Sequence, residues 1–137
     1  MIGGGKGAFI GAVHRIAANM DGLIELSCAA LSSRPEVARE SGKALFLPED
    51  RVYLSYEEML EKESRLPADK RIDFVSIVTP NFAHFAPALL ALEKGFHVVI
   101  DKPMTFTLGE AKQLQKKVEE TGLLLCLTHT YSGYPMV

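Results

Sequence analysis

Apolar positions along this chain follow two alternating rhythms. After an opening glycine cluster, Phe9, Ile10, Val13, Ile16, Ala17 and Met20 recur at steps of three and four, the spacing of one helix face, with a stop near Gly22. Leu23 to Leu31 (LIELSCAAL) follows as an apolar run of strand length, the pattern of a strand buried on both sides in a parallel sheet. Three Ser/Thr-x-x-Glu patterns then mark helix starts. Ser33 to Glu36 opens a short helix with Pro35 in its first turn and Gly42 at its far end. Ser55 to Glu58 opens a charged helix reaching about Arg65, and Thr107 to Glu110 opens one that runs through Leu114 and Val118 to Gly122. Between them lie Val52–Leu54, an edge-strand candidate, and the runs Ile72–Thr79, Phe96–Ile100 and Leu123–Leu127. A helix carrying Phe82, Phe85, Ala86, Leu89 and Leu90 ends at Gly95. Parallel strands need crossover connections, and crossovers are almost always right-handed. The consistent reading is an α/β fold, a doubly wound parallel sheet.

The rest of the chain narrows the class. At 137 residues with 47% hydrophobic content, it has material for one packed domain. A net charge of −2 with mixed signs offers no footprint for nucleic acid. No apolar run approaches the ~20 residues of a membrane span, and Met1-Ile2-Gly3-Gly4-Gly5 does not read as a signal peptide. Cys28 and Cys126 both sit in strand-like apolar runs and read as buried free thiols of a reducing, cytoplasmic setting. No Cys/His/Asp cluster has metal-ligand spacing, so no metal is expected.

The candidate chemistry begins at Gly3-Gly4-Gly5-Lys6-Gly7-Ala8, which fits G-x-G-x-x-A. Gly3 would allow the tight strand-to-helix turn and Gly5 the approach of a pyrophosphate. Ala8 would allow close helix–strand packing, as in the dinucleotide-binding Rossmann fold. The amides of Lys6, Phe9 and Ile10 would meet the phosphates at the positive end of the first helix. Only Met1 and Ile2 precede the cluster, so the first strand is expected to be short. At the tip of the second strand stand Ser32-Ser33-Arg34, without the carboxylate that holds a ribose 2′-hydroxyl in NAD-binding domains. Two hydroxyls and a guanidinium suit a 2′-phosphate, so the cofactor reads as NADP or NAD with a lean to NADP. Ser33 also fits a plain helix cap with Arg34 solvated, and that alternative stays open.

Together, GGGKGA, Thr79-Pro80-Asn81-x-x-His84 after one strand, and Asp101-Lys102-Pro103 after the next resemble the Gfo/Idh/MocA oxidoreductases over about residues 1–134. The resemblance implies a dinucleotide-binding domain over residues 1–130 and places Thr79, Pro80, Asn81, His84, Asp101, Lys102 and Pro103 beside the nicotinamide half. It implies that Asn81 contacts the cofactor and that Lys102 is catalytic, reaching both the nicotinamide ribose and the oxygen of a small sugar- or polyol-like substrate. His84 also suits bracing of its helix, whereas His14 and His97 read as packing or surface residues and His129 lies near the expected crevice. Asp101 replaces the family's usual Glu, with shorter reach and the same charge. Family members carry a further substrate domain, so residues 131–137 read as the start of the crossover to it, and the 137 residues as a truncated form inactive alone. The apolar face that such a domain would cover suggests a homo-oligomer. Two alternatives differ in class: a non-catalytic NAD(P)-sensing module, and a methyltransferase using S-adenosylmethionine, which Ser32-Ser33 disfavours.

Overall fold

The computed structural model describes residues 1–136. The elements run β1 (Ile2–Gly3), α1 (Phe9–Asn19), α2 (Pro35–Ala44), α3 (Tyr56–Ser64), β2 (Phe74–Val78), α4 (Phe85–Glu93), β3 (His97–Asp101), α5 (Leu108–Thr121) and β4 (Leu125–Thr128). The four strands form one sheet in the order β1-β2-β3-β4, every pairing parallel. Two further parallel bridges extend it past β1, Ala30 on Ile2 and Val52 on Ala29. Counted with those segments, the layer reads 52, 29–30, β1, β2, β3, β4. The chain order therefore reverses beside β1, the place where α/β sheets open a crevice at their carboxyl edge.

Helices cover both faces. Val75, Ile77, Val98 and Ile100 alternate onto one face and are buried with Ala88, Ala91, Leu92 and Leu114 of α4 and α5. On the other face a smaller cluster of Met1, Ala29, Leu31, Leu47 and Val78 packs with Ile10, Leu26, Leu45 and Val52. Thr107 forms the full reciprocal cap with Glu110, Ser55 accepts from the Glu58 amide, and Gly122 closes α5 in the left-handed conformation that a Cβ disfavours.

Four expectations are corrected. The run 23–31 is not a long buried strand: only 28–31 are buried, and Leu23 is 86% exposed. Only Ala30 bridges to β1 and only Ala29 to Val52, so the rest of the run has no strand partner. Ser33 does not cap α2. Pro35 starts the helix, the preceding Arg34 is extended as a residue before proline must be, and Ser32 Oγ instead accepts from the Arg34 amide at 3.1 Å. The apolar stripe of α1 faces outward, with Phe9 82% and Ile16 67% exposed. Cys28 is buried, but Cys126 is exposed because it lies on the edge strand β4.

Candidate cofactor site

The turn between β1 and α1 is built by close backbone approach. Gly3 and Gly4 take positive φ of 80° and 77°, where side chains are strained. A Cβ on Gly11 would lie 2.4 Å from the Gly4 Cα, so α1 crosses the turn with backbone against backbone. That is the packing role the sequence pattern assigns to Ala8. In the fold it belongs to Gly11, while Ala8 is the exposed residue that precedes the helix. Two polar side chains on the inward face of α1 hold the approach. Arg15 Nη1 donates to the Gly4 carbonyl at 2.9 Å, and His14 Nδ1 lies 3.1 Å from Ser76 Oγ.

Several amides expected to face phosphate are already committed. Gly5 N–H donates to the Leu31 carbonyl at 3.2 Å, Lys6 N–H to Ser41 Oγ at 2.9 Å, and Ala8 N–H to the Gly5 carbonyl at 2.9 Å. The Lys6 ammonium pairs with Glu40 at 2.6 Å, both groups exposed. The first turn of any helix leaves its N–H groups without intrahelical acceptors, and in α1 these belong to Phe9, Ile10 and Gly11. Neither the Phe9 nor the Ile10 side chain faces the cleft over this turn, and neither residue lines it: the Phe9 ring is exposed to solvent and Ile10 packs into the smaller core.

A cleft of about 530 Å³ opens over this turn at the carboxyl edge of the sheet. It brings together nine of the residues singled out from the sequence: Gly3, Gly5, Lys6, Ala8, Ser32, Ser33, Arg34, Thr79 and Pro80 all line it. Sequence reasoning missed the opposite wall, Leu54 to Glu57 at the start of α3. The Ser55 cap signal was legible, but only the position of Val52 beside Ala29 brings that helix end to the cleft. Burial pushes the Glu57 carboxyl up, but hydrogen bonds from its own backbone amide and from the Tyr56 and Ser55 hydroxyls outweigh it and leave the carboxyl below the usual range. Size and open backbone suit an extended dinucleotide.

Asn81, His84, Asp101, Lys102 and Pro103 lie outside that wall, one or two strands further along the same edge. Gly3 pairs with Val78, and Ile77 with Ile100, so the turns after β1, β2 and β3 leave the sheet side by side. Asn81 begins a short 3₁₀ turn, and Lys102 is exposed. Asp101 does not face the cleft. Its Oδ1 accepts from Thr128 Oγ1 at 2.9 Å and lies 3.5 Å from His14 Nε2. His14, read from the sequence as packing or surface, therefore joins α1 to β2 and β3. His84 is buried, its ring bonded to the carbonyls of Thr79 and Pro103. His97 Nδ1 accepts from the Leu124 amide, and exposed His129 pairs with Ser132. Among the described residues, no helix is long and apolar enough to cross a membrane.

An order reversal with a glycine turn beneath an open cleft defines a Rossmann dinucleotide-binding domain. The oxidoreductase family with an NAD-binding Rossmann fold, Gfo/Idh/MocA, matches residues 1–129, and the chain belongs to that family. The chain is 33% identical to the Bacillus subtilis oxidoreductase YfiI over 138 aligned positions, all of this chain and 35% of YfiI. A crystal structure of an oxidoreductase from Sinorhizobium meliloti superposes with a TM-score of 0.91 at 51% identity, covering 99% of this chain and 37% of that one. An inositol dehydrogenase homolog from Azotobacter vinelandii, complexed with NADH and myo-inositol, gives a TM-score of 0.93 at 38% identity, covering 99% and 35%. The chain thus spans about a third of the length of these relatives.

Proposed function

We propose that this chain is the dinucleotide-holding part of an oxidoreductase that moves a hydride between a nicotinamide and a sugar- or polyol-like substrate. One observation carries the reading. The glycine turn, the 79–81 turn and the 101–103 turn all leave the same edge of a parallel sheet, in adjacent strands. A nicotinamide dinucleotide, when bound, supplies the hydride donor or acceptor. The α1 amino end holds the pyrophosphate through the backbone of Phe9 and Ile10, and Gly3, Gly4 and Gly5 let the turn beneath it pack directly on Val78, Thr79, Gly11 and Leu31. Thr79, Pro80 and Asn81 border the nicotinamide half. Lys102 is the catalytic residue in this reading, because a fixed ammonium polarises a substrate carbonyl and stabilises the alkoxide of the reverse reaction.

The cofactor is NADP in preference to NAD. Ser32, Ser33 and Arg34 line the cleft where the second strand segment ends, and a guanidinium there favours a 2′-phosphate. Calorimetric titration of NADPH and NADH tests both claims. Arg34→Ala should weaken NADPH about tenfold, the loss of one charge-assisted hydrogen bond, and leave NADH nearly unchanged. Tighter binding of NADH than NADPH to the unmodified chain refutes the preference, and binding of neither below roughly 1 mM refutes the function. Self-association through the apolar face that a further domain would cover completes the reading. Light scattering that gives the mass of one chain at high concentration refutes that part.

A further inference from the structure

His84 is 1% exposed, and both of its ring nitrogens face carbonyl oxygens. Nε2 lies 2.7 Å from the Thr79 carbonyl oxygen, and Nδ1 lies 2.8 Å from that of Pro103. A carbonyl oxygen can only accept. A neutral imidazole carries one N–H and one bare lone pair, so either tautomer sets a lone pair against a carbonyl lone pair at close range. The imidazolium alone donates at both ends. We infer that His84 is a doubly protonated positioning residue, strapping the turn after β2 to the turn after β3 and thereby fixing Lys102 relative to Pro80 and Asn81.

The surroundings support a rigid strap. Thr79 Oγ1 donates to the Ala83 carbonyl at 3.0 Å, so the 79–84 turn is cross-tied from within. Asp101, immediately before Lys102, is anchored to Thr128 on β4. Lys102 is thus held from both sides, by a carboxylate bond before it and a carbonyl bond after it. The ring also stands at the amino end of α4, whose dipole opposes a positive charge. Two charge-assisted hydrogen bonds at short distance act against that opposition and against the cost of burial. The sequence shows only that His84 follows Pro80-Asn81 at a spacing suited to a helix start. That its ring spans two turns is a property of the adjacent strands.

The importance of the strap for catalysis rests on the proposed function, but the strap itself does not, and the two are separable by experiment. Imidazole nitrogen-15 spectra of the full 137-residue chain at neutral pH read the ring directly, with His84→Gln identifying its signals. Two protonated nitrogens are expected, and one unprotonated nitrogen overturns the inference. NADPH and NADH titrations then follow the turns. His84→Leu, with no N–H to give, should bind about tenfold more weakly. His84→Gln, whose amide carries two N–H groups, should stay within about threefold of the unmodified chain. Equal behaviour of the two variants overturns the positioning role, whichever way they move. If His84→Leu fails to fold, the spectra of the unmodified chain still decide. Two protonated nitrogens in a chain that binds neither nucleotide would leave the strap standing and remove the function.

Discussion

Gly11→Ala is the sharpest test of how the cofactor turn is built. The added Cβ would sit 2.4 Å from the Gly4 Cα, 2.9 Å from its carbonyl oxygen and 3.1 Å from its carbonyl carbon. Carbon atoms pack at about 3.5–4.0 Å, so α1 must retreat from the turn by roughly 1 Å. The obstacle is backbone on both sides, and no rotamer relieves it. Overpacking of this kind costs about 1–3 kcal/mol, against a gain of about 0.8–1 kcal/mol from replacing glycine by alanine within a helix. The net expectation is a loss of up to about 2 kcal/mol, a fall in urea midpoint of up to roughly 1 M for a slope near 2 kcal/mol/M. The same substitution at Gly109 in α5 supplies the control. Its Cβ would meet nothing nearer than Thr107 Oγ1 at 3.9 Å, so Gly109→Ala should stabilise by about 0.4–1 kcal/mol. Urea unfolding followed by circular dichroism reads both variants, and NADPH titration should show weaker binding for Gly11→Ala alone. If Gly11→Ala shifts the midpoint in the same direction as Gly109→Ala, the backbone-contact account is wrong.

The remaining predictions concern caps, thiols and the buried acid. Thr107→Ala removes a reciprocal cap and should cost about 1 kcal/mol, whereas Ser33→Ala, which caps nothing, should be near neutral in the same unfolding assay. Iodoacetamide should label Cys126 in the native chain and reach Cys28 only after unfolding, as counted by mass spectrometry; rapid double labelling would contradict the burial. Burial pushes the Cys28 thiol up to about 11 from an ordinary 9.0. The folded chain therefore keeps that proton while the unfolded chain loses it, and stability should decline as pH rises from 9 towards 11. A Cys28→Ala variant should show a shallower decline across that window. Glu63 is fully buried, accepting from Tyr53 Oη at 2.7 Å and from Arg51 Nη2 at 2.8 Å. Glu63→Leu leaves both donors without their acceptor and should cost about 3–5 kcal/mol. Glu61→Leu, whose partners Arg65 and Lys94 retain contact with solvent, should change the midpoint little.

Much of this protein was legible as a string of residues. The alternation of periods announced an α/β layer, Ser55 and Thr107 marked helix starts, and Gly95 and Gly122 marked helix ends. These are local signals, settled by contacts within a few positions of each residue. The motif turns at 3–8, 79–81 and 101–103 were equally visible, because a parallel sheet delivers all its strand ends to one edge whatever the packing in detail. Tertiary structure decided the rest. The inward face of α1 is set by Gly11 on Gly4 and by Arg15 and His14, while the apolar stripe that the periodicity marked as buried meets water. The His14–Ser76 contact spans 62 positions, and the Asp101–Thr128 bond spans 27. Periodicity reports that a residue has a face. Which partner that face meets, as for the ring of His84 between two carbonyls, is fixed only when distant strands lie side by side.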